Sequence, residues 1–507
     1  MRGFYFCVII FYMNNLFLIL SLTPFLIFLF LIFVLKSSLF KSALFTFLSF
    51  LVLSVVFWKI KTEAMIMSLG KGFFVSFDIF LIIFGAVMFF ELLKKKNIIE
   101  DISYYLSVFS KDYRIQVIII AWFLECLLEG TAGFGVPSAV AVPVLLGIGL
   151  DPILSLVVGL LGNSVPGVFG AAGTPIKIGF AGLNVTDVSF YASVFNFVGL
   201  IIPIVMIFVI VRWYKKPIKE FLEVIPIALW SGFLFVFPSF LVAVFLGQEF
   251  PTIIGAFLGL MIFLVSVKFN FLVPKQQRFL FLDKEKIEPK NSVLKSFLPY
   301  LLLIIFLILG KFLFGGVYLN ILSYHKFNLF NPGLVFVFTA LVFALLYRVK
   351  IDLKSIKTAF SGAFVPFMVI CFMLMMVQLM VNSGNNFSGE LSAVKNIAMS
   401  IDGKYLPVIS PFVGAFGSFI TGSVTTSNVM FGSIFEMASI SAGLNTQVVL
   451  ASLVVGAGLG NMIALADILT AEAVIGKRGF ERKIVSKVIG PCLICLLIVV
   501  FLVLLFA

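Results

Sequence analysis

One stretch of 53 residues, 125–177, constrains the fold of this chain more than any other. It contains ten glycines and five prolines in a segment otherwise as apolar as a membrane span, together with Glu125, Glu129 and Lys177. Hydrocarbon offers no hydrogen-bond partners to the backbone, so helices broken by glycine and proline persist at membrane depth only inside protein or around a polar cavity. Because the ends of broken helices can hold ions, the stretch is predicted to form half of a transport site.

Composition places this stretch in an integral membrane protein. Hydrophobic residues make up 62% of the 507 residues and charged residues only 12%, against roughly 25% charged in soluble domains. We predict an all-α polytopic membrane protein with about 12–15 transmembrane segments, some of them broken or re-entrant. The predicted parts are N-terminal spans at 1–114, a first core at 115–211, middle spans at 212–405 with a cytoplasmic loop at 274–295, a second core at 406–476, and a linker with the last span at 477–507.

The basic residues indicate which loops face the cytoplasm. Under the positive-inside rule, the loops assigned to the cytoplasm hold 27 lysines and arginines, and the loops assigned to the outside hold 7. The first glycine-rich block is then entered from the cytoplasm and a second block, at about 406–470, from the outside. Opposite entry is what two inverted-topology repeats predict. A net charge of +13 that sets topology gives no reason to expect a nucleic acid partner.

The two blocks also share an order of short motifs. GLDP at 149–152 and GLLGN at 159–163 correspond to GLNT at 443–446 and GAGLGN at 456–461. The spacings differ by several residues, so a chance match between two small-residue-rich segments is the alternative to a true repeat. The charge count favours the repeat, which predicts one helix broken near Gly130–Gly135 and another near Thr421–Asn428, both at one central site.

Three acidic residues are candidates for carrying a coupling proton. Glu125 and Glu129 are four residues apart and share a helix face, and two carboxylates one turn apart in a low dielectric do not both ionise readily. Glu129 adjoins the predicted break, and Asp467 is the candidate in the second block. The alternative for each is a carboxyl that only satisfies a helix end.

Lys177 is the only basic residue inside the first block away from a loop. An uncompensated ammonium at membrane depth costs about 2.5–3.5 kcal/mol. Two interpretations remain open. In the first, Lys177 faces the site and contacts the substrate carboxylate, Asp467 or Glu129. In the second, its long side chain extends so that the ammonium lies at the membrane–water interface.

Small polar side chains are dense in the second block. Such residues commonly join helices in membranes, but their density beside Gly414, Gly417 and Gly422 predicts a broken helix that lines a cavity. The six residues are Thr421, Ser423, Thr425, Thr426, Ser427 and Asn428.

Two pairs of segments resemble the signature segments of the lactate permease family, in the family's order. They are LLEGTAGFGVPSAVAVPVLLGIGLDP at 127–152 with GNSVPGVFGAAGTPI at 162–176, and SPFVGAFGSFITGSVTTSNVMFGS at 410–433 with VVLASLVVGAGLGN at 448–461. The resemblance implies a secondary transporter of the bacterial inner membrane that imports lactate, glycolate or a similar 2-hydroxy acid by proton symport.

The resemblance also implies site residues. The family's motif glutamate falls on Glu129, and Lys177 and Thr425 join the predicted substrate site from the arguments above. The other matched positions are Gly133, Phe134, Gly135, Asn163, Gly173, Thr174 and Pro175 in the first block and Thr421, Gly422, Ser423, Thr426, Ser427 and Asn428 in the second.

Two positions depart from the family pattern. Val424 stands where the resemblance leads us to expect an acid, and Asn461 where it leads us to expect a lysine. Lys177 and Glu125 are not part of that pattern. The second block thus lacks an acid and a base of the pattern, while Glu125 and Lys177 are additional to it. This exchange predicts that a charge pair has been relocated, and it leaves the identity of the coupling ion open.

The predicted function is import of a small monocarboxylate with a proton; the alternative is a sodium-coupled transporter of another small organic anion. The expected partners are the carboxylate, the coupling ion and membrane lipid. We expect no enzyme, no cofactor and no metal site, because the spans lack a nucleophile with its base and the five cysteines lie in apolar runs. A passive channel is disfavoured because two broken blocks of opposite entry suit alternating access.

Overall fold

The computed structural model describes residues 2–131, 133, 136–276, 289–321, 325–474 and 479–506. Within these ranges, nine helices are long and apolar enough to cross a membrane, and Pro152–Gly162 with Pro166–Lys177 forms a further span bent by 50°. Two shorter apolar helices cover Leu16–Ile32 and Pro332–Leu346. The protein is an all-α, multi-pass membrane protein, as its composition predicts, and the other predicted segments are short or broken helices.

The helices are numbered in chain order. The N-terminal part contains α1 (Arg2–Phe33), α2 (Leu39–Val56), α3 (Thr62–Lys95) and α4 (Ile98–Val108). The first block contains α5 (Tyr113–Val117), α6 (Glu125–Thr131), α7 (Val136–Gly147), α8 (Pro152–Gly162), α9 (Gly170–Lys177), α10 (Val188–Phe195) and α11 (Ile202–Trp213). The middle part contains α12 (Ile218–Leu222), α13 (Ile225–Leu246), α14 (Pro251–Lys268), α15 (Val293–Phe314), the hairpin strands β1 (Tyr318–Ile321) and β2 (His325–Asn328), α16 (Pro332–Leu346), α17 (Leu353–Asn382) and α18 (Ala393–Met399). The second block contains α19 (Leu406–Thr421), α20 (Val424–Ala442), α21 (Thr446–Gly460) and α22 (Leu465–Val474), and α23 (Glu481–Leu504) ends the chain.

The first block begins with a hairpin whose two ends lie at one face. A π-helical turn at 118–124 joins α5 to α6, which ends at Thr131, and the chain returns through α7. The backbone N–H of Asp151, just after α7, donates to the Tyr214 hydroxyl at 2.9 Å, and Arg114, at the start of α5, donates to the Glu220 carbonyl at 2.7 Å. Tyr214 and Glu220 belong to the same short turn between α11 and α13. The hairpin therefore enters the protein and returns to the face it came from.

The second block repeats this arrangement. α19 ends at Thr421, Gly422 adopts a left-handed φ of 66°, and α20 begins at Val424. A Cβ on Gly403, just before α19, would touch the Cβ of Ala442 at the end of α20, so this hairpin also returns to the face it came from. Both helix breaks are confirmed at the predicted places.

Matching features follow each hairpin in the same order. Gly149 and Gly443 both have positive φ, and Asp151 and Asn445 both cap the next helix through their side chains. α8 and α21 then end at Asn163 and Asn461, each followed by a short 3-10 helix and another short helix. The repeated order supports a true repeat over a chance similarity.

Contacts between loops agree with the sides assigned from charge. Lys95 and Asp352 form an ion pair at 2.8 Å between two loops assigned to the cytoplasm. The Lys61 N–H donates to the Asn385 carbonyl at 2.9 Å, between two loops assigned to the outside. The first hairpin thus opens toward the cytoplasmic loops and the second toward the outer loops, which is the inverted relationship.

Several glycines of the second block serve close helix packing rather than breaks. A Cβ on Gly414 would meet the Leu453 carbonyl, and a Cβ on Gly456 would meet the Pro411 carbonyl. These contacts bring α19 and α21 together backbone to backbone, as small residues do in membranes. Gly422 alone supplies the break predicted from the cluster of Gly414, Gly417 and Gly422.

Candidate functional site

A cavity lies where the two hairpin tips meet the two broken spans. Its volume is about 30 Å³, room for about two water molecules. Both blocks contribute to it, and its composition is small, polar and acidic. The lining residues are Glu129, Gly133, Asn163, Gly167, Gly170, Ala171, Pro175, Gly422, Ser423, Val424, Thr425, Asn461 and Asp467.

Glu129 is held at the tip of the first hairpin. It is 6% exposed, and every residue from Val117 to Thr131 is buried in protein. A Cβ on Gly170 would collide with Glu129 Oε1, and one on Gly133 would lie 3.5 Å from the same oxygen. The carboxyl therefore occupies space that exists because residue 170 is a glycine, and Gly133 lies in ordinary contact distance of it.

Asp467 faces the same cavity from the second block. It is 7% exposed, near the start of α22, and its carboxyl interacts electrostatically with that of Glu129. Two acids in one low-dielectric cavity repel each other when both are ionised. Among the described lining residues there is no lysine, arginine or histidine to balance them. The site is therefore suited to holding at least one proton.

A left-handed turn brings backbone to the cavity. Ala171, Ala172 and Gly173 have φ values of 40°, 53° and 77°. Left-handed backbone costs about 1–2 kcal/mol for each residue with a side chain, and such strain concentrates at functional sites. Gly173 itself packs on the Gln248 carbonyl rather than on the cavity, and the Thr174 hydroxyl donates to the Ala171 carbonyl inside the turn. Gly173 and Thr174 therefore shape the turn and do not line the cavity.

The N-terminus of α20 points at the cavity. Ser423 caps this helix by accepting from the Thr426 N–H at 3.2 Å, and Ser423, Val424 and Thr425 line the cavity. The N–H groups of a first helical turn have no carbonyl partner within the helix, and they carry a partial positive charge. This end of α20 is where the site can hold a carboxylate.

Two asparagines at equivalent places complete the lining. Asn461 accepts from the Ser418 hydroxyl through its Oδ1. Asn163 is 2% exposed, and its Oδ1 has no hydrogen-bond partner within the described part of the chain. The two blocks thus present one satisfied and one unsatisfied amide oxygen.

The remaining predicted polar residues of the second block do structural work. Thr421 donates to the Gly417 carbonyl at 2.8 Å, and Ser427 to the Gly414 carbonyl at 2.8 Å. Asn428 donates to the Pro175 carbonyl at 2.9 Å, which joins the two blocks beside the cavity. Thr426 is buried on α20 without lining the cavity.

Glu125 is fully buried, but its carboxyl lies against α8, 2.6 Å from where a Cβ on Gly162 would stand, outside the cavity lining. Gly135 and Phe134 lie outside the described residues. Of the three acids predicted to carry a proton, Glu129 and Asp467 line the cavity and Glu125 does not.

The expectation that Lys177 pairs with Asp467 or Glu129 is wrong. Its Nζ lies 3.3 Å from Glu249 Oε1 and stacks on the Phe330 ring, outside the cavity lining. Glu249 also pairs with Lys311 at 2.8 Å. Lys177 lies at the C-terminal end of α9, away from the hairpin tips. Its partner Glu249 is more than seventy positions later in the chain. Among the described residues that line the cavity there is no relocated charge pair.

Lys177→Met should therefore change the apparent KM for a carboxylate by less than about threefold, because the ammonium does not reach the cavity and Glu249 keeps Lys311 as its partner. Concentration-dependent uptake into proteoliposomes measures this, with Lys311→Met as the matched variant on the other side of Glu249. A rise in KM of tenfold or more for Lys177→Met alone would return Lys177 to the substrate site.

Other lining residues were missed by the sequence argument. Gly167, Gly170 and Ala171 lie between matched motif positions, and their glycine and alanine identities gave the only signal. Val424 and Asn461 were noted only as departures. A Cβ on Gly167 would lie 3.1 Å from Asn461 Nδ2 and 3.5 Å from Val424 Cγ2, so these two side chains are neighbours in the cavity.

Gly170→Ala should lower pH-driven uptake at least about tenfold. The backbone there, with φ −62° and ψ 161°, accepts alanine, but the added methyl group takes the position of the Glu129 carboxyl. Uptake per folded protein is the measurement. Gly147→Ala, where a Cβ meets nothing within 4 Å, is the matched control, and equal uptake by both variants would contradict the placement of Glu129.

A second, larger cavity of about 380 Å³ lies near the outer loops. It is lined by Lys61, Glu63, Ala64, Met67, Lys71, Asn382 and Asn385. Its two lysines suit an anion and Glu63 opposes one, and its residues come only from the N-terminal end of α3, the C-terminal end of α17 and the residues that flank them. The first cavity is the better candidate because both blocks and all the helix breaks meet there.

Comparisons with known proteins show similarity to L-lactate permeases. The family model for L-lactate permease matches residues 17–318 and 312–507. A Haemophilus influenzae protein is 30% identical over 465 residues, which cover 82% of this chain and 84% of that protein. The L-lactate permease of Halalkalibacterium halodurans is 27% identical over 74% of each chain, and that of Bacillus subtilis is 26% identical over 89% of this chain and 88% of its own.

Proposed function

Because this chain belongs to the L-lactate permease family, a family of bacterial inner-membrane transporters rather than enzymes, we propose that it imports lactate or a similar small 2-hydroxy monocarboxylate together with a proton. The carboxylate binds at the N-terminus of α20, beside Ser423 and Thr425. Glu129 carries the coupling proton, and Asp467 shares or adjusts it.

The observation that carries this proposal is the pair of acids in a cavity whose described lining holds no basic side chain. Helix N-termini supply only about half an elementary charge. A carboxylate that enters beside two ionised acids is repelled, whereas one that enters beside a protonated Glu129 is not. Binding of the anion and binding of the proton therefore favour each other, which is the requirement for symport.

The arrangement of the two hairpins suggests how access alternates. One hairpin opens toward the cytoplasmic loops and the other toward the outer loops, and their tips meet at the cavity. Movement of either block relative to the other exposes the cavity to one side at a time, as in transporters built from inverted repeats.

Sodium is the second candidate for the coupling ion. The unpartnered Oδ1 of Asn163, the carboxyls of Glu129 and Asp467 and the hydroxyls of Ser423 and Thr425 are oxygen atoms around one small cavity. Such a set of hard ligands suits an alkali or alkaline-earth cation.

Uptake of labelled acids into proteoliposomes tests the proposal. An inward proton gradient should drive accumulation of lactate and glycolate without sodium. Accumulation that requires sodium and ignores the pH gradient would favour the second candidate. No uptake of any small monocarboxylate would contradict both.

A further inference from the structure

Asn163 presents a buried acceptor that lacks a donor. It caps the C-terminus of α8, where its N–H donates to the Gly159 carbonyl at 3.0 Å, and the residue lines the cavity at 2% exposure. Its Oδ1 makes no hydrogen bond within the described residues. Buried polar atoms in native proteins almost always have a partner, so this oxygen is expected to receive a donor from whatever occupies the cavity.

Neighbouring helices bind the backbone that follows Asn163. Asn196 donates to the Val165 carbonyl at 3.2 Å, and Thr252 donates to the Pro166 carbonyl at 2.9 Å. Both bonds come from helices outside the α8–α9 span.

The equivalent residue in the second block does not offer the same group. Asn461 Oδ1 already accepts from Ser418. Of the two asparagines at these matched places, Asn163 alone keeps its oxygen for a ligand.

We propose that Asn163 Oδ1 accepts a hydrogen bond from the 2-hydroxyl of the substrate and so selects 2-hydroxy acids over acids without that donor. This inference rests on the proposed function and names how the same site chooses its substrate. An ionised carboxylate has no donor of its own, so with the carboxylate at the α20 N-terminus the 2-hydroxyl is the group that can satisfy Asn163. Propionate lacks the hydroxyl, and pyruvate offers a carbonyl acceptor in its place.

The selectivity follows from the acceptor that is left unsatisfied. An acid without the hydroxyl leaves Asn163 Oδ1 buried and unbonded, and it should bind about tenfold to a hundredfold more weakly than lactate. A residue that cannot reach the hydroxyl has no acceptor to leave unsatisfied, so propionate no longer binds more weakly on that account. The same replacement removes the hydrogen bond that strengthens lactate binding. The ratio of the two affinities is then the diagnostic quantity.

The experiment compares wild type, Asn163→Ala, Asn163→Ser and Gln378→Ala. Gln378 is the matched control, because its Oε1 is also buried and unpartnered in the described chain but does not line the cavity. Two readouts give the lactate-to-propionate ratio: competition against labelled lactate uptake, and the shift of Tm that each acid produces on purified protein in detergent. The second readout needs no transport.

Both Asn163 variants should bring the ratio to within about threefold of unity, while Gln378→Ala keeps the wild-type ratio. An unchanged ratio in a folded Asn163 variant that still responds to lactate overturns the inference and leaves the proposed function standing. Equal losses for both acids, with altered activation by sodium, would assign Asn163 to a cation and also overturn it. A wild-type protein that responds to neither acid would overturn the proposed function and this inference with it.

Discussion

Glu129→Gln is expected to abolish lactate uptake driven by a pH gradient, a loss of at least about a hundredfold, while exchange of internal for external lactate persists. Glutamine matches the shape of glutamate and fits the space left by Gly170 and Gly133. It remains neutral, so the anion can still enter, but it cannot release a proton on the other side of the membrane. Net uptake under an inward proton gradient and lactate counterflow at equal pH, measured on the same vesicles, separate the two steps.

Glu125→Gln is the matched control for this prediction. The two glutamates are one helical turn apart, but the Glu125 carboxyl lies against α8 outside the cavity. That variant should keep pH-driven uptake. Unchanged pH-driven uptake in Glu129→Gln would remove Glu129 from the coupling step.

Val424→Asp and Asn461→Lys are each expected to lower uptake strongly as single variants, and the double variant is expected to retain most of the uptake. Their side chains converge on Gly167, at 3.5 and 3.1 Å from its Cβ position. An aspartate alone adds a third acid to a cavity that has two, and a lysine alone holds those acids in their ionised form. An uncompensated buried charge costs about 3–5 kcal/mol, so Val424→Asp should lose uptake at least about thirtyfold. Asn461→Lys should lose a similar amount, because an ammonium beside Glu129 opposes uptake of its proton. The double variant places the two charges side by side and should recover most of that loss.

A double-mutant cycle measures this coupling. We expect an interaction free energy of about 2–3 kcal/mol from apparent uptake constants. Protein levels and Tm for all four proteins show whether folding contributes. Strictly additive losses would mean that Val424 and Asn461 do not meet in the cavity.

Much of the architecture could be predicted from sequence because the membrane imposes it. Long apolar runs need an interior without water, and the lysines and arginines of the loops fix the sides. Breaks at Gly133 and Gly422 follow from glycines inside apolar segments. Glu129 and Asp467 could be singled out because an acid at membrane depth is energetically costly and usually has a function.

The arrangement of partners could not be predicted in the same way. Lys177 needs an anion, and nothing local indicates that Glu249, in another part of the chain, supplies it. A glycine that permits a left-handed turn, as Gly422 does, reads the same in sequence as one that lets two helices touch, as Gly414 does. Likewise, a hydroxyl that donates to a carbonyl of its own helix, as Thr421 does, cannot be distinguished from one that lines a cavity.

A structure of the protein with lactate bound tests the proposed substrate site most directly. We expect the ligand in the cavity between the two hairpin tips, with its carboxylate at the N–H groups of Val424 and Thr425, its hydroxyl at Asn163, and Glu129 within hydrogen-bond reach. Lactate bound instead at Lys61 and Lys71, with the cavity between the tips left unoccupied, would contradict it.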